Sequence, residues 1–142
     1  MGKYGNAALR ATELVRRARS APPDAWNVAV KELFPNSPSS QKKGCPKGAF
    51  LGLCEEGLIV GVPRGSYTRS DDNKRYAVDA VQLLQRKPGL ADASARDGGA
   101  TNLWLLVMRG KWKTPNHQIE VVLALWNDGL IVGSRTAAAT TS

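Results

Sequence analysis

Residues 51–61 read LGLCEEGLIVG and residues 123–133 read LALWNDGLIVG. Leu51, Leu53, Gly57, Leu58, Ile59, Val60 and Gly61 recur as Leu123, Leu125, Gly129, Leu130, Ile131, Val132 and Gly133. Chance seldom gives GLIVG twice in so short a chain, and repeats decide the architecture when they are present. The motif also carries a local prediction. A glycine just past a run of helix-forming apolar residues takes the left-handed conformation, satisfies the last carbonyls, and lets the next leucine fold back in a Schellman arrangement. Gly57 and Gly129 therefore mark two helix ends.

Working outward, Asp24-Ala25-Trp26 has a counterpart in Asn102-Leu103-Trp104, and Ala8, Ala11, Leu14 and Arg17 have counterparts in Ala77, Ala80, Leu83 and Arg86. The expectation is an all-α fold of two quasi-equivalent three-helix units, a tandem duplication packed into one globular domain. Residues 1–66 form unit one and residues 67–133 form unit two. Periodicity at 3.6 residues per turn supports six helices. The first runs from Tyr4 to Arg19 with Ala8, Ala11, Leu14, Val15 and Ala18 on one face. The second carries Trp26, Val30, Leu33 and Phe34 and stops at Pro35; the third carries Phe50, Leu51, Leu53 and Cys54. In unit two Ser70, followed by Asp71 and Asp72, caps a helix bearing Ala77, Ala80, Val81 and Leu84. Thr101 or Asn102 caps the next, with Trp104, Val107 and Met108, and Thr114-Pro115 opens the last, with Ile119, Val122, Leu123 and Trp126. The stretch 88–100, PGLADASARDGGA, reads as a mobile linker and 134–142, SRTAAATTS, as a disordered tail. The predicted core is Leu14, Trp26, Phe50, Leu53, Leu83, Trp104, Leu123 and Trp126.

With 142 residues, 20 Lys and Arg against 12 Asp and Glu, and a formal charge of +8, the chain is a basic globule of one domain or two very small ones. Its longest apolar runs, Leu103–Met108 and Val121–Trp126, are far shorter than the roughly 20 residues a bilayer span needs. The opening MGKYGNAALRA turns polar too soon for a secretory signal, so a cytoplasmic location is expected.

The opening MGKYG, the central KKGCPKGAFLGLCEEGL and the closing VVLALW together resemble a family of small uncharacterised bacterial proteins, a domain of unknown function. The resemblance implies a bacterial origin and brings no mechanism with it.

Three function classes follow from the residues. The first is nucleic-acid binding, or binding to a nucleic-acid-handling complex. Lys42, Lys43 and Lys47 stand at the start of the third helix of unit one, and Arg109, Lys111 and Lys113 before the third helix of unit two. Lysines around a helix N-terminus, where N–H groups point outward, make a phosphate site. Arg64, Arg69, Lys74 and Arg75 extend the patch. The second class is a protein-interaction, adaptor or inhibitor module, to which four tryptophans and a basic surface are equally suited. Glu55, Glu56 and Asp128, in last turns where negative charge opposes the helix dipole, either await a basic partner or are compensated by Arg64 and Arg135. The third is a Cys45-dependent enzyme, with His117 and Asn116 as companions; a thiolate needs a positioned base, and His117 is the only histidine. No spacing motif supports that cluster. Cys54 reads as a buried small hydrophobe and Cys45 as partly exposed. Nine residues of one helix separate the two cysteines by over a dozen ångströms, which argues against a shared metal, and no cofactor is implied.

Overall fold

The computed structural model describes residues 2–96, 99–111 and 113–133, with 93–96 and 99–101 as helix backbone. Within them the chain forms eight helices: α1 Lys3–Ala18, α2 Pro22–Leu33, α3 Pro38–Gln41, α4 Gly44–Glu55, α5 Asp71–Arg86, α6 Gly89–Arg96, α7 Gly99–Met108 and α8 Gln118–Asn127. The chain is all-α. None of these helices is long and apolar enough to cross a membrane.

The helices form for the reasons the periodicity suggests. In α1 the buried residues Tyr4, Ala7, Ala8, Ala11 and Val15 make one stripe, and Arg16 and Arg17 in the last turn suit the negative end of its dipole. Pro22 occupies the first turn of α2, where its missing N–H costs nothing. α4 and α8 differ from these. Most of α4 from Pro46 to Cys54 is buried, as are Gln118, Ile119, Val121, Val122, Ala124, Leu125 and Trp126 of α8, which is what a helix apolar all round requires. They form the centre of the molecule. α4 packs on α5, α8 and α2; α8 packs on α1, α4 and α5; α7 lies against α6, α5 and α8. The connectivity is crossed, since α1 from the start of the chain packs on α8 from its end, and α5 of the second half packs on α4 of the first.

The close approach of α4 to α5 depends on two glycines one helical turn apart. A Cβ on Gly52 would lie 2.6 Å from the Lys74 Cα, and one on Gly48 would lie 2.9 Å from the Asn73 Cβ. No side chain fits at either place.

Both predicted helix ends are Schellman motifs. Gly57 has φ 67° and Gly129 φ 73°. The Leu58 N–H donates to the Leu53 carbonyl at 3.0 Å and the Leu130 N–H to that of Leu125 at 2.9 Å, while Gly57 and Gly129 bond to Cys54 and Trp126, both at 3.1 Å. The two GLIVG segments then meet each other. Ile59 and Ile131 form an isolated antiparallel bridge, with the Val60 N–H on the Leu130 carbonyl at 2.7 Å and the Val132 N–H on the Leu58 carbonyl at 2.9 Å.

Several expectations need correction. Two helices are additional to the six: α3, one turn started by Pro38 after the N-cap Ser37, and α6, which occupies Gly89–Arg96 within the stretch read as a linker. That stretch folds because Ala91 is buried and Leu90 packs against the core, too small an apolar signal to see in the sequence. Thr101 and Asn102 lie inside α7 rather than capping it, and α8 starts at Gln118, three residues after Pro115, with His117 as its N-cap. Ser70 is the N-cap of α5 but makes no side-chain cap bond; its hydroxyl accepts from Asn73 Nδ2 at 2.7 Å. Of the predicted core, Trp26, Phe50, Leu53, Trp104 and Trp126 are buried, whereas Leu14, Leu83 and Leu123 are half-buried at its rim. The tail 134–142 lies outside the described residues.

Candidate functional site

One end of the molecule gathers the starts of three helices, α1, α5 and α8. Tyr4, in the first turn of α1, donates its hydroxyl to the Ser40 carbonyl of α3 at 2.9 Å, and its ring lies 4.6 Å from that of Phe34 and 4.7 Å from that of His117. From α8, the Glu120 carboxylate accepts the Gly5 N–H at 2.8 Å and lies 3.0 Å from His117 Nδ1. Gly2, the N-cap of α1, has no side chain to offer, so an acid from the far end of the chain takes the place of a capping residue. A Cβ on Gly2 would overlap that carboxylate. The start of α5 joins through Asn73, whose Oδ1 accepts from the buried Gln118 Nε2 at 3.1 Å. Gln118 Oε1 in turn accepts the Asn116 N–H at 2.6 Å, and Gly48 of α4 packs on Asn73 and Ser70. Thus the starts of α1, α5 and α8 meet here, and α4 joins through Gly48 in its second turn.

The carboxylates are unevenly shared among these starts. α1 is capped by Glu120, α5 carries Asp71 and Asp72 in its first turn, and α8 carries Glu120 in its own. α4 has no acid in its first turn. It is the helix start that Lys42, Lys43 and Lys47 surround: Lys43 is its N-cap, Lys42 ends α3, and Lys47 reaches Asn27 Oδ1 at 3.3 Å. Lys42 and Lys43 are exposed.

Arg109, Lys111 and Lys113 lie on the exposed α7–α8 connection. Arg109 and Gly110 have φ 53° and 84°, a reversal that ends α7 and turns the chain toward α8. The Lys113 carbonyl accepts the Trp104 indole N–H at 2.6 Å, and Lys113 Nζ lies 5.7 Å above the Tyr76 ring. The two cation groups therefore rest on different helices, one on α2 and α4 and the other on α5 and α7. Trp112 lies outside the described residues.

Cys45 is half-buried in the first turn of α4, and Cys54 is buried, where desolvation pushes its thiol pKa well above the ordinary range. Both are free. Among the described residues no hydrogen bond joins Cys45 to His117 or Asn116; His117 is engaged by Glu120 and Tyr4, and Asn116 by Gln118. No group of three or more His, Cys, Asp or Glu among them is placed to hold a metal ion.

The acids at the end of α4 find their partners within the chain. Glu55 Oε1 accepts the Tyr67 and Thr68 N–H groups at 2.5 and 2.7 Å, and Oε2 pairs with Lys74 at 2.8 Å. Burial pushes the Glu55 pKa up, but the Lys74 hydrogen bond and charge and the two N–H donors outweigh it, leaving the net below the ordinary carboxylate value. Glu56 lies 3.7 Å from Lys74 and 3.9 Å from Arg64. Compensation thus comes from Arg64, as the sequence suggests, and from Lys74, which the sequence does not single out for that role. Arg135 lies outside the described residues.

Sequence reasoning missed Glu120, Gly5, Asn73 and Gln118, because each acts on a partner far along the chain. The MGKYG opening held the one available signal, a helix start with two glycines and no capping side chain. No curated protein and no solved structure is similar enough to this chain to count as a match. Residues 1–132 match the model of a family whose description is "Family of unknown function (DUF6979)", and the chain belongs to that family.

Proposed function

We propose that this chain is a cytoplasmic bacterial protein that binds nucleic acid, or a nucleoprotein complex, through Lys42, Lys43, Lys47, Arg109, Lys111 and Lys113. The observation that carries the reading is the α4 start: three lysines around a helix N-terminus with no acid in its first turn. Backbone N–H groups and ammonium groups that converge without a neutralising carboxylate attract phosphate. Two free thiols suit a reducing compartment.

The same proposal takes the chain as two copies of one helical unit, residues 1–66 and 67–133. Its support is the matched glycine caps, the antiparallel meeting of Ile59 with Ile131, and a pair of corresponding placements: Arg16 of α1 covers Gly61, and Gln85 of α5 covers Gly133. On this reading the two cation groups are equivalent places that grip neighbouring phosphate tracks.

The test is a binding titration of the full chain against random duplex, single-stranded DNA and RNA at two salt concentrations, beside the K42A/K43A/K111A/K113A variant. With six phosphates neutralised, affinity falls about a thousandfold between about 50 and 200 mM salt. Absence of binding in low salt rejects the reading. A second reading, a protein-interaction module, is supported by Leu105 and Leu106, which are 46% and 48% exposed beside the basic connection; binding there would respond far less to salt.

A further inference from the structure

A surface cavity of about 610 Å³ runs along α1 and is lined by Arg10, Arg16 and Arg17 but also by Glu13 and Asp128. Arg10 is already held by Glu13 at 2.7 Å and by Glu32 at 2.8 Å, and Arg16 covers Gly61. Little positive charge is left over for a ligand. A cleft of about 440 Å³ between α5 and the end of α7 has the opposite balance. Arg75, Arg109, Lys111 and Lys113 line it together with Tyr76, and Asp79 is the one acid among its described residues. Its volume lies within the ordinary range of ligand sites.

Two of the four cations are held in place by one ring. Arg75 Cζ lies 5.4 Å and Lys113 Nζ 5.7 Å from the centroid of Tyr76, and the ring is itself fixed edge-on against Trp104 at 5.2 Å. The buried indole then bonds to the Lys113 carbonyl, which fixes the backbone that carries that lysine. Arg75 has a protein partner in Asp72 at 3.5 Å, but both side chains are more than 60% exposed, and such pairs yield readily to a competing anion. The ring serves the cations, and Tyr76 is buried, so it offers no face on which a base could stack. What the cleft can recognise is negative charge with many acceptor oxygens.

We propose that this cleft is a phosphate-binding site, in which Arg75, Arg109, Lys111 and Lys113 contact one phosphoryl group without reading the base attached to it. The proposal rests on and deepens the nucleic-acid reading by assigning a discrete phosphate position to one of its two cation groups, and it moves Arg75 from an extension of the basic patch into the site itself. The phosphate can come from a polynucleotide backbone or from a free nucleotide, and the experiment separates them.

The full chain is titrated at about 50 mM salt with pyrophosphate and with a single strand of about 12 nucleotides, followed by amide NMR shifts and calorimetry. The R109Q/K113Q variant changes two exposed side chains, and K42Q/K43Q serves as its control; both are expected to keep the wild-type melting temperature. The expected result is that pyrophosphate moves the amides of Arg75, Tyr76 and Lys111. In R109Q/K113Q those shifts vanish, strand affinity falls about tenfold, and the salt slope drops by about 0.7 for each phosphate no longer neutralised. Strand binding that survives R109Q/K113Q but fails in K42Q/K43Q overturns the cleft and leaves the nucleic-acid reading standing. No strand binding, with pyrophosphate shifts that R109Q/K113Q abolishes, rejects the nucleic-acid reading and assigns the cleft to a free nucleotide. No shift with either probe overturns the cleft outright.

Discussion

The helices α4 and α8 end alike and begin differently. Past Gly57 and past Gly129 the backbone makes the same two bonds, and the segments that follow pair with each other at Ile59 and Ile131. Toward their starts the resemblance fades. Where α4 has Gly48, α8 has Glu120; where α4 has Gly52, α8 has Ala124; and Cys54 stands in the place of Trp126. One helix gives up its side chains to let α5 come close, and the other extends a carboxylate to reach α1. The tryptophans differ as well, since Trp104 donates its N–H to the Lys113 carbonyl while the buried Trp26 N–H has no partner among the described residues and its ring stacks on Phe50. Where the two segments touch each other, a change in one must suit the other. At the pole each helix faces a different neighbour, and the two starts are built differently.

Thiol chemistry separates the two ends most widely. Iodoacetamide should label Cys45 in the native protein orders of magnitude faster than Cys54, which becomes reachable only when the core opens; preferential labelling of Cys54 would break the assignment. Next in size is Gly52→Ala, whose Cβ would press on the Lys74 backbone and cost about 2–3 kcal/mol in urea unfolding. The mirror change Ala124→Gly should cost only about 1 kcal/mol, the ordinary helix penalty of glycine. Equal losses in the two variants would mean that α4 does not need its glycines to approach α5.

Glu55 has no acidic counterpart in α8, where Asn127 is exposed. Glu55→Gln should cost about 1–2 kcal/mol at neutral pH, since charge-assisted bonds to Lys74 and to two N–H groups are weakened. The folded-state pKa is depressed, so the unfolded chain binds more protons in acid. The stabilisation is therefore complete above about pH 4.3 and is lost as pH falls through the folded value. Below that pH the wild type should decline more steeply than the variant, and parallel curves would remove Glu55 from the account.

Gly57→Ala and Gly129→Ala should each lower stability by about 1 kcal/mol, because both positions hold positive φ. Unchanged melting temperatures would show that the matched ends are incidental. The smallest effect expected is that of Glu120→Ala, about 1 kcal/mol or less from the loss of the α1 cap, and fraying should appear first in the amide exchange of Gly5 and Asn6. Uniform exchange along α1 would place the cap elsewhere.

The helix ends, the apolar stripes and the burial of Cys54 were legible in the sequence because each depends on residues a few positions apart. Periodicity identifies a face but does not say how wide the covered strip is. Leu14, Leu83 and Leu123 lie on the right side of their helices and yet only half inside. The helix α6 escaped because its buried content rests on Ala91 and a partly buried Leu90, in a stretch whose glycines and aspartates look like a linker. At the candidate site the lysines were visible as charges. Their setting was not, since it is made by Glu120 on Gly5 and Gln118 on Asn73, pairs brought together only by the crossed packing. The sequence reading places Arg75 in an extension of the basic patch, but nothing local ties it to a connection that begins after α7.

That crossed packing bears on the order in which the protein takes shape as it is made. Of the eight described helices α1 leaves the ribosome before the others, and α8, one of its principal neighbours, emerges after the other seven. Until then the stripe of Tyr4, Ala7, Ala8 and Ala11 has only part of its cover, with α2 on one side and solvent on the other. Pairings so distant along the chain slow folding and leave a nascent intermediate exposed. Arg10, Glu13, Arg16 and Arg17 give α1 a charged outer face, which disfavours non-specific association of that helix in the interval before α8 arrives.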